Sequence, residues 1–298
     1  MKYLIYLSLL VFNAGCNHPV TQESTRVVID LQGHRGARGL MPENSIPAFL
    51  RALDYNNVTT LELDLAVTSD NHLVVSHEPW FNPVICKSPD GEELNEQDKI
   101  SIYSLTYEQI KEYDCGSGGN PRFPDQKKMK TYKPLLSEVM SEVKKKLKNT
   151  GRQSINYNIE IKSSPQLDSI FTPSPEKFAD LVYSFVTENM NIQQVTIQSF
   201  DFRVLRYLHE KYPEVRLVAL VENEKSEEEN LRILGFKPEI YSPYYKTLTQ
   251  NSIKYLQGKN IDVIPWTVND TTAMKQLIKW QVDGIITDYP NLAQKILE

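Results

Sequence analysis

Charge of neither sign dominates this chain: 33 Lys+Arg face 38 Asp+Glu, a net of −5 over 298 residues. That balance leaves no electrostatic footprint for nucleic acid and no polybasic surface for anionic lipid. Low-complexity tracts and short-period repeats are absent, which excludes solenoid and fibrous architectures. Long apolar runs are missing as well. The one candidate, near the N-terminus, holds about ten residues and is too short to cross a bilayer as a stable helix. Cysteine is scarce, with three in all. With 40% hydrophobic and 24% charged residues, the chain can bury a full-sized core, as one large α/β domain or two smaller ones.

The stretch MKYLIYLSLLVFNAGC has one basic residue, an apolar run, then small residues before Cys16. It reads as a secretory signal over residues 1–15. Ala14-Gly15-Cys16 resembles the end of a bacterial lipobox, in which the cysteine is lipidated; Asn13 stands where that motif usually has Leu. Residues 16–26 read as a polar tether and 27–298 as a single domain. The expected location is therefore outside the cytoplasm, in the periplasm or on the outer membrane of a bacterium, with the membrane reached through the N-terminal anchor. An exported protein lives where disulfides persist. Cys86 and Cys115 share one irregular segment and are either bonded or two unpaired buried thiols.

Within TTLELDLAV, Leu61, Leu63 and Leu65 alternate with Glu62, Asp64 and Ala66. A strand sends alternate side chains to opposite faces, so the leucines pack under helices while Glu62 and Asp64 point together the other way. Two buried acids on one face repel each other and lose hydration, a state a cation between them would relieve. The pattern recurs in SINYNIEIKS, where Asn156, Asn158, Glu160 and Lys162 oppose an apolar face. In VVIDLQGHRG it places Asp30, Gln32 and His34 together, and in QVTIQSF it places Thr196 and Gln198 together. Strand-like and helix-like stretches then alternate. Strands fall at about 28–34, 59–67, 155–162, 194–199, 215–221, 239–243, 261–268 and 284–287, with a helix after each. A short strand lies in HLVVSH, and residues 79–133 form an irregular insertion after the second strand. Eight βα units predict a (β/α)₈ TIM barrel, in which working residues sit at the C-terminal strand ends. The KKKLK run reads as the solvated last turn of a helix.

These motifs, in this order, resemble those of the glycerophosphodiester phosphodiesterase family. The resemblance runs from about residue 31 to the C-terminus through HRGARGLMPENSIPAF (34–49), ELDLAVTSDNHLVVSHE (62–78), NIEIKS (158–163), IQSFD (197–201), PWTVN (265–269) and DGIITDYP (283–290). It implies a (β/α)₈ barrel that hydrolyses glycerophosphodiesters to glycerol 3-phosphate and an alcohol. It implies that His34 and His77 are the catalytic pair and that Glu62, Asp64 and Glu160 are metal ligands. Arg35 and Lys162 would contact the phosphate or hold the site, and Glu43 and Asn44 would support the first loop. Glu78 departs from the aspartate common after the second histidine.

The chemistry of the residues agrees. A divalent cation neutralises a phosphodiester, and all-carboxylate ligation favours Ca²⁺ or Mg²⁺. Two imidazoles, titrating near neutrality, can divide acid and base work. Lys162 is alternatively a neutraliser of the acidic cluster. Trp266 reads as pocket wall or plain packing, and Gln198 as a supporting group. Tyr241, Tyr244 and Tyr245 are rim candidates, against the commoner role of tyrosine in the core or on the surface. Asp288 reads as the cap of the helix that starts near Pro290. Two other functions fit less well: a phospholipase of the sphingomyelinase D type acting on intact lipid, and a solute-binding lipoprotein without catalysis. Nothing in the sequence points to a protein partner.

Overall fold

The computed structural model describes residues 29–95 and 97–298; the signal segment, Cys16 and the tether lie outside them. Eight parallel strands are laid side by side in the order β8-β7-β6-β5-β4-β2-β1-β9. They are β1 (Asp30–Gly33), β2 (Val58–Val67), β4 (Asn156–Ile161), β5 (Val195–Ser199), β6 (Arg216–Val221), β7 (Ile240–Pro243), β8 (Asp262–Val263) and β9 (Gly284–Thr287). Backbone hydrogen bonds bridge the remaining seam between β8 and β9: Asp283 N–H to the Val263 carbonyl at 3.0 Å, Ile286 N–H to Pro265 at 3.0 Å, and Val268 N–H to Ile286 at 2.9 Å. The (β/α)₈ barrel expected from the alternation is therefore the fold observed. β3 (Leu73–Val75) folds back antiparallel on the long second strand, as the short strand read in HLVVSH anticipates.

Helices follow the strands: α1 (Ile46–Ala52), α3 (Leu136–Thr150), α4 (Pro175–Asn189), α5 (Phe202–Lys211), α6 (Glu227–Leu234), α7 (Gln250–Gln257), α8 (Thr271–Lys279) and α9 (Pro290–Leu297), with a single turn α2 (Tyr107–Ile110) in the insertion. Their starts are written in short polar side chains. Ser45, Ser174, Asp201, Ser226, Thr249 and Asp270 each accept a hydrogen bond from a backbone N–H of the first turn. Each cap satisfies a donor that the helix itself cannot.

Alternation along the strands builds the two layers of the core. Leu61, Leu63, Leu65, Ile159, Ile161 and Ile197 face outward and are fully buried under the helices, each contributing about 1.5–3 kcal/mol. The inward face is divided. On β1, β2, β4 and β5 it carries Gln32, Thr60, Glu62, Asn158, Thr196 and Gln198, all buried. On the other side of the barrel Val218, Ile240, Ile264 and Ile286 form a separate apolar cluster. One half of the barrel is thus polar and the other oily.

The expected seventh strand, 261–268, contracts to Asp262–Val263. Pro265 has no N–H to give to a ladder, so pairing continues only as single bonds from Ile264 N–H to Tyr241 and from Trp266 N–H to Pro243. The insertion, 79–133, has a small core of its own. Phe81, Ile85, Cys86, Ile102, Tyr107, Ile110 and Cys115 pack with Ala66 and Val74 of the β2–β3 hairpin. Cys86 and Cys115 are disulfide-bonded across 29 residues, which resolves the pairing left open by the sequence.

Candidate active site

The loop after β1 is shaped by backbone requirements. Gly36 has φ +84°, and a Cβ there would lie 2.5 Å from the Ala48 carbonyl carbon, so only glycine fits. Arg35 and Asn44 also take positive φ, 50° and 51°. This curl turns Arg35 N–H toward Glu62, whose Oε2 accepts it at 2.9 Å. The Arg35 guanidinium spans the site, donating from Nη1 to Glu43 Oε1 at 2.7 Å and lying with Nε 3.2 Å from Asp64 Oδ2. Asn44 Nδ2 donates to Asp64 Oδ2 at 2.8 Å. Glu43 and Asn44 thereby tie the loop to Arg35 and Asp64.

Strand register brings the acids together. Asp64 lies directly beside Glu160, and Glu160 beside Gln198. Gln198 Nε2 donates to Glu62 Oε1 at 2.8 Å, while Asn158 Nδ2 donates to Gln198 Oε1 at 3.0 Å and to Gln32 Oε1 at 2.8 Å. Glu62, Asp64 and Glu160 are all buried and each offers a carboxylate oxygen within 4.8 Å of the others. Lys162 Nζ sits 2.9 Å from Glu160 Oε1 and 3.8 Å from Asp64 Oδ1. Burial disfavours its ammonium, but Glu160 and Asp64 keep its pKa above the ordinary lysine value.

The electrostatics of this cluster are unbalanced. Burial first, and then the neighbouring Asp64, pushes Glu160 up to about 7 against the pull of Lys162. Burial, Asp64 and Glu160 raise Glu62 well above the carboxylate range. Asp64 goes the other way: burial opposes its charge, yet Arg35, His77 and Lys162 hold it well below that range. Counting Glu43, Glu62, Asp64, Glu160 and Asp288 against Arg35, Arg38 and Lys162 leaves two carboxylates in excess. Asp64 Oδ1, buried, has no hydrogen-bond partner among the described residues. An oxygen-only donor set with two carboxyl groups beyond its cations fits one hard divalent cation, whose charge would hold Glu62 and Glu160 ionised.

The two histidines reach the same cavity from β1 and the β2–β3 hairpin. His34 Nδ1 lies 2.7 Å from Asp288 Oδ1. Arg38 grips the same carboxylate through Nε at 2.7 Å and Nη2 at 3.0 Å, and Asn269 Nδ2 donates to it at 2.6 Å. These charges hold the Asp288 carboxyl far below its ordinary range against its burial. An ionised carboxylate only accepts, so Nδ1 of His34 carries the proton and Nε2 is bare. That Nε2 lies 3.9 Å from Glu62 Oε2. A carboxylate beside an imidazole ordinarily raises its pKa. Here burial and then Arg38, which already occupies the charge of Asp288, lower His34 to about 4. His77 is half-buried and pairs through Nδ1 with Glu78 Oε1 at 2.9 Å. Glu78 is held down to about 2, with burial opposing and His77 and Lys133 favouring its charge. Burial, Arg35 and Lys162 lower the His77 pKa. The longer Glu78 therefore still reaches the histidine beside it.

The cavity has a volume of about 680 Å³. Besides His34, Arg35, Glu62, His77, Glu160, Lys162 and Gln198, it is lined by Phe200, Tyr244, Tyr245 and Trp266. Trp266 Nε1 donates to the Ser242 carbonyl at 2.9 Å, and its ring meets Phe200 edge-on with centroids 5.3 Å apart. Tyr241 does not belong there. It is buried on the outer face of β7, where Asn230 Nδ2 donates to its hydroxyl at 3.0 Å. Asp288 is also a correction. The cap of α9 is Tyr289, with no side-chain bond, and Asp288 is turned into the barrel toward His34. Arg38, Asn269, Arg122 and Glu222 are further groups the sequence did not single out.

The comparisons with known proteins agree with this geometry. Residues 34–292 match the model of the "Glycerophosphoryl diester phosphodiesterase family". A glycerophosphodiester phosphodiesterase of Bacillus subtilis is 28% identical over 274 residues, covering 88% of this chain and 84% of that one. A glycerophosphodiester phosphodiesterase structure from Parabacteroides distasonis superposes with a TM-score of 0.66 at 25% identity, covering 91% of this chain and 98% of that one. An Oleispira antarctica phosphodiesterase, solved with the product sn-glycerol 3-phosphate, shares the fold with a TM-score of 0.70 at 18% identity, covering 89% and 95%. A family match over most of the chain, on a barrel of the same architecture, makes this protein an enzyme of the glycerophosphodiester phosphodiesterase family.

Proposed function

We propose that the enzyme hydrolyses glycerophosphodiesters to sn-glycerol 3-phosphate and an alcohol, with a divalent cation and a histidine acid/base pair. The observation that carries this reading is the convergence of Glu62, Asp64 and Glu160 in a cavity that His34 and His77 also line. A Ca²⁺ or Mg²⁺ ion held by those three carboxylates would offset phosphoryl charge and polarise a phosphoryl oxygen. Arg35 and Lys162 bring fixed positive charge to the same wall, Arg35 with the planar fork suited to phosphate oxygens. The apolar face of Trp266 backs the carbon skeleton of the substrate.

Each histidine has its Nδ1 engaged by an ionised carboxylate, which leaves Nε2 for proton transfer. One takes the proton of the attacking O–H and the other gives a proton to the departing alkoxide, an exchange worth about 10²–10⁴ in rate per group. The Oleispira antarctica phosphodiesterase, solved with sn-glycerol 3-phosphate as its product, supports the same product here. The chain's N-terminal segment supports an exported enzyme tethered to the bacterial membrane through lipid on Cys16; Cys16→Ser would then release it into the soluble fraction.

The test is a panel of glycerophosphodiesters and intact phospholipids, run after chelation and after return of Ca²⁺, Mg²⁺ or Mn²⁺. Hydrolysis of the deacylated diesters alone, lost on chelation, is expected. Hydrolysis of intact lipid alone would instead mark a phospholipase, and undiminished activity after exhaustive chelation would refute the metal. His34→Ala and His77→Ala should each lower kcat by at least ~10². A nitrophenyl phosphodiester, whose leaving group needs no proton, should rescue only the variant that lost the acid.

A further inference from the structure

The insertion is not electrically uniform. Residues 86–114 hold eight acidic and three basic residues, whereas 116–133 hold five basic residues, Arg122, Lys127, Lys128, Lys130 and Lys133, against Asp125 alone. On a net acidic chain this second half is a basic tongue, and it is fastened to the catalytic loop. Gln126 Nε2 donates to the Arg38 carbonyl at 2.8 Å, and Lys127 N–H donates to the Leu40 carbonyl at 2.9 Å. Phe123 is buried, its ring centroid 4.8 Å from the Arg38 guanidinium. Asn120 closes the turn by accepting from Arg122 N–H at 3.0 Å. The docking of Phe123 and Gln126 sets its neighbour Arg122 on the cavity wall.

Four cations line that wall. Arg35, Arg38 and Lys162 each hold a carboxylate within 2.9 Å. Arg122 is exposed and has no carboxylate within 4.0 Å among the described residues. The wall on the β5–β8 side is of the opposite kind: Phe200, Leu220 and Trp266 are apolar, with the carboxylate of Glu222 at the rim. A diester has two arms. With its phosphate beside the acids and the histidines, the uncharged carbon skeleton of glycerol can lie on the wall that offers no cation, and the other arm then extends toward the insertion. A negative charge on that arm would be repelled by Glu222 and received by Arg122.

We propose that Arg122 is a specificity-determining residue that selects glycerophosphodiesters whose alcohol arm carries a negative charge of its own, a carboxylate or a second phosphate. This rests on the hydrolase reading above and adds to it the class of alcohol. Guanidinium suits both anions, since it offers a two-pronged donor to paired oxygens.

The experiment compares kcat/KM of the full-length, metal-supplied enzyme on glycerophosphocholine, glycerophosphoserine and bis(glycerophospho)glycerol, for the wild type, Arg122→Gln and Arg122→Lys. The wild type should favour the two substrates whose alcohol arm carries an anionic group. Arg122→Gln should lower kcat/KM on them by about tenfold or more, the usual size of a lost bond to a charged group, and should change the choline substrate by less than about threefold on the same scale. Arg122→Lys, keeping the charge without the fork, should fall between. Loss on serine alone assigns a carboxylate, and loss on the double diester alone assigns a phosphate; either supports the proposal. An equal loss on all three substrates would place Arg122 on the reacting phosphate and overturn it, as would no change on any. A wild type inactive on every diester would overturn the hydrolase reading and this one with it.

Discussion

His34 should make the folded, metal-free protein lose stability on mild acidification, and the size of the loss follows from its surroundings. Burial and Arg38 lower its pKa to about 4 in the fold, whereas an unfolded chain gives histidine its ordinary value near 6.5. Between these limits the unfolded state binds the extra proton, so stability falls as pH falls. The contribution is nearly unaffected above about pH 7 and is lost progressively through the window from 6.5 to 4. Between pH 7 and 4.5 the difference in proton binding amounts to about 2.4 kcal/mol. His34→Gln cannot take up that proton. Urea unfolding of wild type and His34→Gln in chelator, at half-unit steps from pH 7.5 to 4.5, isolates the residue because all other groups cancel to first order. The gap between the two stabilities should shift by about 2 kcal/mol in favour of the variant at the acid end. A constant gap would mean that the fold leaves the His34 pKa at its ordinary value, and a shift in favour of the wild type would mean that Asp288 rather than Arg38 governs it.

Three further outcomes are expected. Ca²⁺ or Mg²⁺ at a hundredfold excess over Kd should stabilise the chelated protein by about 2.7 kcal/mol, visible as a rise in Tm, and Glu62→Gln, Asp64→Asn or Glu160→Gln should remove that rise; a rise of unchanged size in all three would place the ion elsewhere. Asp288→Asn leaves Arg38 buried without its carboxylate and lets the opposite tautomer of His34 form, so stability should drop by about 3–5 kcal/mol and kcat by at least ~10², as read by thermal melting and initial rates; a variant with wild-type kcat would show that the His34–Asp288 bond is only structural. Replacing Cys86 and Cys115 by alanine frees a loop of 29 residues, a loss of about 3–4 kcal/mol in the chain-entropy account, and the first bonds cut by protease should then fall within 79–133; unchanged resistance would show that the insertion's apolar core suffices.

Much of the barrel was readable because its strands are asymmetric. Leu61, Leu63 and Leu65 against Glu62 and Asp64 fix both the strand and which way the acids face, and β4 repeats the statement with Ile159 and Ile161 against Glu160. Placing Asp64 beside Glu160 requires the register of two strands, which one sequence does not encode, although their shared polarity hints at it. Asp288 shows the limit. Its neighbours Tyr289 and Pro290 make a local cap reading natural, while its partners His34 and Arg38 lie more than two hundred residues away. Arg122 had no signal at all, because the insertion has no periodicity from which a facing direction could be read. Tyr241 takes the core alternative rather than the rim, because β7 is short and the parity of one residue decides between core and cavity.

The bond between His34 and Asp288 spans 254 residues and joins the first strand to the turn after the last. His34, the proposed proton-transfer group, thus receives its orientation only when the final strand has docked. A chain that has folded every element but the last would already hold Glu62, Asp64 and Glu160 in register, while His34 stayed unaligned. On the role proposed for His34, catalytic competence and completion of the barrel become a single event, and turnover during refolding would report the closing of the ring rather than the formation of the acidic cluster.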